Sequence, residues 1–154
     1  MGRRPRKVKT DCARHGQQTN HSAAKFGLDK VAVLTNFVSR EELAALYSLC
    51  TGIVFPSLYE GFGLPITEAM CGGAPVIAGN SSSLPEVVGD AGVLVDASSA
   101  EELSQAMLKV LTDEKLRREM SEQSVTRSTN FSWEKVADKI VSAYETLGNV
   151  TQRS

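Results

Sequence analysis

From Val31 onward, apolar residues arrive in two alternating rhythms. "VAVLTNF" (31–37) is an apolar run of strand length. "SREELAALYSLC" (39–50) follows with helical spacing, Leu43, Leu46, Leu49 and Cys50 on one face and a Ser39/Glu42 capping box at its start. "GIVFPS" (52–57) is a second strand, closed by Pro56. "LPITEAM" (64–70) is a helix with Pro65 in its first turn, where a missing N–H costs nothing, and Gly72 and Gly73 as its stop. "PVIAGN" (75–80) and "GVLVDA" (92–97) are strands, with a short helix around "LPEVV" (84–88) between them. Ser98 or Ser99 then caps a helix carrying Leu103, Ala106, Met107, Val110 and Leu111 on one face. Residues 113–128 form a charged helix with little apolar face. "FSWEKVADKIVSAYETLG" (131–148) is a last amphipathic helix, with Ser132 as cap, Gly148 as stop, and Trp133, Val136, Ile140, Tyr144 and Leu147 expected in the core.

Short apolar strands alternating with helices define an α/β class, a Rossmann-like parallel sheet flanked by helices. Ligands of such sheets bind beyond the carboxyl ends of the strands. "LYEGFG" (58–63) follows one strand and "NSSSLPE" (80–86) follows the next, so both loops belong to that edge.

The 154 residues suit one domain, and 42% hydrophobic with 23% charged residues is the balance of a globular protein. A net charge of −1 gives no overall field that selects nucleic acid or a membrane surface. No apolar run is long enough to span a bilayer, so no integral membrane contact is expected. Residues 1–24, basic at Arg3, Arg4, Arg6, Lys7 and Lys9, read as a disordered tail or a poorly formed first element, and no apolar stretch follows to make them a secretory signal. Residues 149–154 read as a second tail. Cys12, Cys50 and Cys71 are odd in number and widely spaced, which suits reduced thiols in a cytoplasmic setting. Cys50 and Cys71 are expected to be small buried residues. Cys12, His15 and His21 have no clear fourth partner, so no metal site is expected.

The glycine turn has more specific chemistry. Gly61 and Gly63 let backbone approach a ligand, and the helix opening at Leu64 points unpaired N–H groups and its positive dipole end across the loop. That is a natural phosphate site. The dinucleotide fingerprint is absent, because Ile66 occupies the third glycine's place and Asn80 stands where an acidic residue would end the next strand. A Walker-type Lys-Ser/Thr pair is absent too. Read alone, Gly-x-Gly is only a tight strand-to-helix turn. Glu60 and Glu68 flank it, and each carboxylate can accept two hydroxyls, as a sugar diol offers. Phosphate between two diol-binding acids describes a nucleotide sugar. Glu86 reads as a structural anchor of its loop.

"FPSLYEGFGLPITEAMCGGAPVIAGNSSSLPEVVGDAGVLVD" strongly resembles the C-terminal, donor-binding domain of the family 4 retaining glycosyltransferases, which have GT-B architecture. The resemblance runs from about Val31 to Leu147, within a domain placed at 25–148, and includes "FSWEKVA". It implies a catalytic-centre role for Glu60, holding donor-sugar hydroxyls near the reacting carbon. It implies N–H groups of Gly61, Phe62, Gly63 and Leu64 on sugar and diphosphate, Glu68 on the ribose, and backbone near Val38 on the base. It implies hexose transfer from a nucleotide diphosphate sugar with retention and without a metal or other cofactor. Three positions depart from the pattern. Asn36 stands for a usual glycine, Cys71 lies one place early, and Gly79 replaces a common serine. The Arg and Lys that neutralise the diphosphate in such domains are not found, nor are the first strand–helix units and the N-terminal acceptor domain. The chain therefore resembles an incomplete C-terminal half of a GT-B glycosyltransferase. On that reading it is inactive alone, partnered by the acceptor domain or a chain supplying it, and prone to self-association. The alternative is a non-catalytic binding or scaffold module that keeps the fold without the chemistry.

Overall fold

The computed structural model describes residues 8–10, 25–28, 30–35 and 37–151. The chain divides into two compact units, Met1–Leu43 and Ala44–Ser154. In the first unit, β1 (Val8–Thr10) pairs in parallel with β2 (Ala32–Leu34), Lys9 opposite Val33. β1 lies within the stretch expected to be a tail or a poorly formed first element. The unit boundary falls inside α1 (Arg40–Leu49). Its capping box forms in both directions: Ser39 N–H donates to Glu42 Oε2 at 2.8 Å and Glu42 N–H to Ser39 Oγ at 3.2 Å.

The second unit continues with β3 (Ile53–Phe55), α2 (Leu64–Cys71), β4 (Val76–Gly79), α3 (Leu84–Val88), a 3-10 turn (Gly89–Ala91), β5 (Gly92–Val95), α4 (Ala100–Thr112), α5 (Glu114–Ser128) and α6 (Trp133–Thr151). β4 is the middle of a three-stranded parallel sheet, Val76 opposite Ile53 on one side and Gly92 on the other. In the first unit the strand at Ala32–Leu34 pairs with β1, a partner that the sequence pattern did not reveal.

Side chains of a strand alternate between faces, and β4 uses both. Val76 and Ala78 pack with Ile66 and Met70 of α2 and Leu84, Val87 and Val88 of α3, with Ile53, Phe55 and Phe131 around them. Ile77 packs the opposite way, with Val95 of β5, Ala106 and Val110 of α4 and Met120 of α5. All four β4 residues are buried. A parallel sheet covered on both faces follows from these runs, as the sequence implied.

Helix ends have local causes. Ser99, not Ser98, caps α4, accepting from Glu102 N–H at 3.2 Å. Asp113 caps α5 through Leu116 N–H at 2.9 Å. Arg117 closes the C-terminus of α4 by donating to the carbonyls of Val110 and Leu111 at 2.8 and 2.9 Å. The charged α5 packs more than expected: it buries Met120 and Ser124, and Ser124 Oγ donates to Ala74 O at 2.9 Å.

α6 departs from expectation in two ways. It runs through Gly148 to Thr151. Its predicted core residues face out: Trp133 is 81% exposed, Tyr144 72%, and Val136 and Ile140 are also exposed. The side chain of Leu147 lies outside the described residues. Among the described residues no helix is long and apolar enough to cross a membrane.

Candidate functional site

Beyond Phe55 the chain leaves β3 at its carboxyl end, passes Pro56 and Ser57, bends at Leu58 and again at Gly61 and Phe62, and reaches α2 through Gly63. Gly63 makes the entry possible. It sits at φ +90°, ψ 47°, a left-handed conformation that side chains rarely adopt, and a Cβ there would lie 2.8 Å from Leu84 Cδ2. Its carbonyl takes the first helical bonds, from Ile66 N–H at 2.9 Å and Thr67 N–H at 3.4 Å. The N–H groups of Gly61, Phe62, Gly63 and Leu64 donate to no acceptor among the described residues. A Cβ at Gly61 would meet nothing within 4 Å, so space beside this backbone is open. Unpaired N–H groups at a helix N-terminus are able to donate to an anionic oxygen, although Gly63 itself is buried.

Glu60 is half-buried and held. Ser57 Oγ donates to its Oε1 at 3.0 Å. Its backbone carbonyl accepts from Ser82 Oγ at 2.6 Å and Ser83 Oγ at 3.1 Å, while Ser81 Oγ reaches Ser57 O at 3.0 Å. Three consecutive hydroxyls beyond β4 therefore grip the loop beyond β3. The two loops assigned to one edge from the sequence do meet there. Ser82 adopts φ 55° to do this, a left-handed geometry unusual outside glycine. Gly79 has a reason as well: a Cβ there would stand 2.5 Å from Ser57 O. A serine there would not fit this backbone.

Glu68 lies one turn into α2, exposed, with no side-chain partner among the described residues. Val38 belongs to the first unit and is half-buried; the other candidate residues belong to the second. Glu86 anchors its region through its backbone carbonyl, which accepts from Arg127 Nη2, rather than through its carboxylate. Further along the strand ends lies an open cleft of about 390 Å³ lined by Leu58, Asn80, Ser81, Asp96 and Glu102, among others. Asp96 and Glu102 are committed to local turns there: Asp96 Oδ1 accepts from Ser98 N–H and Oγ, and Glu102 Oε2 from Asp96 N–H.

Ser57 and Ser81–Ser83 were not singled out by sequence reasoning. Their signal was positional, hydroxyl residues directly after two neighbouring parallel strands. Cys71 is exposed, against expectation, and Cys50 is half-buried. Cys12, His15, His21 and Asn36 lie outside the described residues. Among the described residues, no cluster of three or more His, Cys, Asp or Glu could hold a metal ion.

A parallel α/β sheet with a glycine turn and helix N-terminus at its carboxyl edge is the build of GT-B glycosyltransferases. The chain superposes on sucrose-phosphate synthase from Thermosynechococcus elongatus with a TM-score of 0.79 and 28% identity, over 87% of this chain and 34% of that one. Residues 15–127 match the Glycosyl transferases group 1 family, and the chain belongs to it. It is 41% identical over 111 residues to O-antigen chain mannosyltransferase B of Escherichia coli, across 72% of this chain and 29% of the relative. It is 39% identical to the serotype-specific mannosyltransferase WbdA of the same organism, over 81% of this chain and 16% of the relative. The chain thus spans less than a third of the length of these curated relatives.

Proposed function

We propose that this chain is the donor-binding part of a retaining glycosyltransferase of family 4, taking a nucleotide diphosphate sugar at the 57–64 loop and Glu68. The observation that carries this reading is the run of four unpaired N–H groups, Gly61 to Leu64, beside a carboxylate fixed by Ser57. The N–H groups meet the diphosphate, and each such bond to a charged oxygen contributes about 1.5–3 kcal/mol. Glu60 holds donor hydroxyls near the anomeric carbon and Glu68 the ribose diol. The bond from anomeric carbon to diphosphate oxygen breaks, positive charge grows on the ring, and the helix terminus stabilises the departing negative charge. The acceptor oxygen bonds on the same face, and its proton passes to the departing diphosphate oxygen. Neither a protein nucleophile nor a metal is needed. The mannosyltransferase relatives favour mannose as the hexose.

No lysine or arginine stands between Arg40 and Lys109. Diphosphate charge at this loop therefore falls to N–H groups and the helix dipole unless a basic side chain comes from elsewhere. That observation favours weak donor binding, and it also supports the second reading, a module that keeps the fold and has lost the chemistry. On the leading reading, transfer needs an acceptor-holding part as well, because proximity supplies much of the rate. Calorimetry with GDP, UDP and their sugars, on the wild-type chain and Glu68→Ala, separates the two. Binding abolished by the substitution supports a working donor site. No heat with any nucleotide at millimolar concentration sinks it in favour of the scaffold reading.

A further inference from the structure

We infer that Arg127 and Phe131, remote in sequence from the glycine turn, are positioning residues that hold it in shape. Phe62, between Gly61 and Gly63, meets the Phe131 ring edge-on, with centroids 5.7 Å apart and planes at 79°. The guanidinium of Arg127 lies over the same Phe131 ring, 5.7 Å from its centroid. Arg127 in turn clamps the end of α3: Nε donates to Val87 O at 3.1 Å, and Nη2 donates to Glu86 O. The seat is fitted to it, because a Cβ on Gly89 would stand 2.8 Å from Arg127 Cζ.

These contacts close a ring. Ser82 and Ser83, just ahead of α3, grip the Glu60 carbonyl. Arg127 grips the other end of α3 and supports Phe131, and Phe131 supports Phe62. The turn is therefore held at Glu60 and at Phe62, and both holds are mounted on α3. Between them stands Gly61, whose surroundings are open and whose own backbone restrains little. The edge-to-face ring pair favours one placement of the glycine-flanked segment over others. Fixed donors bind an anion better than donors that must first be ordered. The consequence for affinity rests on the donor-site reading above; the consequence for backbone order does not.

The test uses the full 154-residue chain, labelled with ¹⁵N, as wild type, Phe131→Leu, Phe131→Tyr and Arg127→Lys. Backbone order parameters are measured at Gly61, Phe62, Gly63 and Leu64, with β4 as an internal control, and GDP and UDP affinities by calorimetry. Phe131→Leu and Arg127→Lys are expected to lower order at the turn and leave β4 unchanged. Phe131→Tyr, which keeps the ring, retains wild-type order. Where wild type binds a nucleotide, Phe131→Leu weakens it roughly twofold to tenfold. Unchanged order at residues 61–64 in Phe131→Leu and Arg127→Lys overturns the inference, as does failure of the tyrosine to preserve it. If wild type binds no nucleotide, the donor reading falls and the order parameters still decide this one. If the leucine variant does not fold, the Arg127→Lys data decide.

Discussion

Gly63 meets two demands at once, a left-handed backbone and a neighbouring leucine methyl with no room for a Cβ. Together they are met only by glycine. Gly63→Ala is expected to cost about 1–3 kcal/mol through backbone strain, with more from the displaced Leu84. Urea denaturation reads the loss directly, and an unchanged midpoint contradicts it. The cysteines offer a second residue-scale contrast. Burial pushes the Cys50 thiol above its ordinary pKa, outweighing the lowering by backbone N–H groups. Less thiolate and less access both slow its chemistry, whereas Cys71 is exposed at the end of α2. Iodoacetamide at neutral pH should label Cys71 well before Cys50, as peptide mapping by mass spectrometry would show. Equal rates would mean that the end of α1 opens freely.

At the level of elements, strands and caps were legible because their signals are local. The capping box at Ser39, Pro65 in the first turn of α2, the glycines after it and the serine at the start of α4 each act within a few residues. The glycine turn was legible for the same reason: Gly-x-Gly after a strand and before a helix limits what the backbone can do. The seryl grip on Glu60 was not, since it joins residues more than twenty positions apart. α5 was undervalued because Leu116, Met120 and Ser124 make a narrow stripe in a charged helix, and a buried serine does not register as apolar. α6 was overvalued. A period of 3.6 marks an apolar face but does not say whether the same residues cover it. Nor does one glycine end a helix without other capping contacts. Trp133 checks this, because it is the sole tryptophan. Its emission should resemble indole in water and be quenched readily by acrylamide. A blue-shifted, protected tryptophan in dilute solution would show the face to be covered.

Within the second unit, stability sits along the strands and candidate chemistry in the loops beyond their carboxyl ends. β4 is paired on both sides, buried on both faces, and touched by α2, α3, α4 and α5. Burying each of its larger apolar side chains contributes about 1.5–3 kcal/mol, so its amides open only when the second unit unfolds. The loops beyond the strand ends are held instead by single hydroxyl bonds, an aromatic edge and one arginine. Such an arrangement keeps the frame rigid while leaving donors unpaired for a ligand. Native-state hydrogen exchange should therefore rank the second unit. Val76–Gly79 and the buried turns of α2 should exchange slowest, at rates tracking global unfolding in denaturant. Residues 57–63 and 81–83 should exchange fastest, and the solvent-facing helix α6 should open sub-globally ahead of β4. If α6 proved as protected as β4, its exposed apolar face would have to be covered in solution.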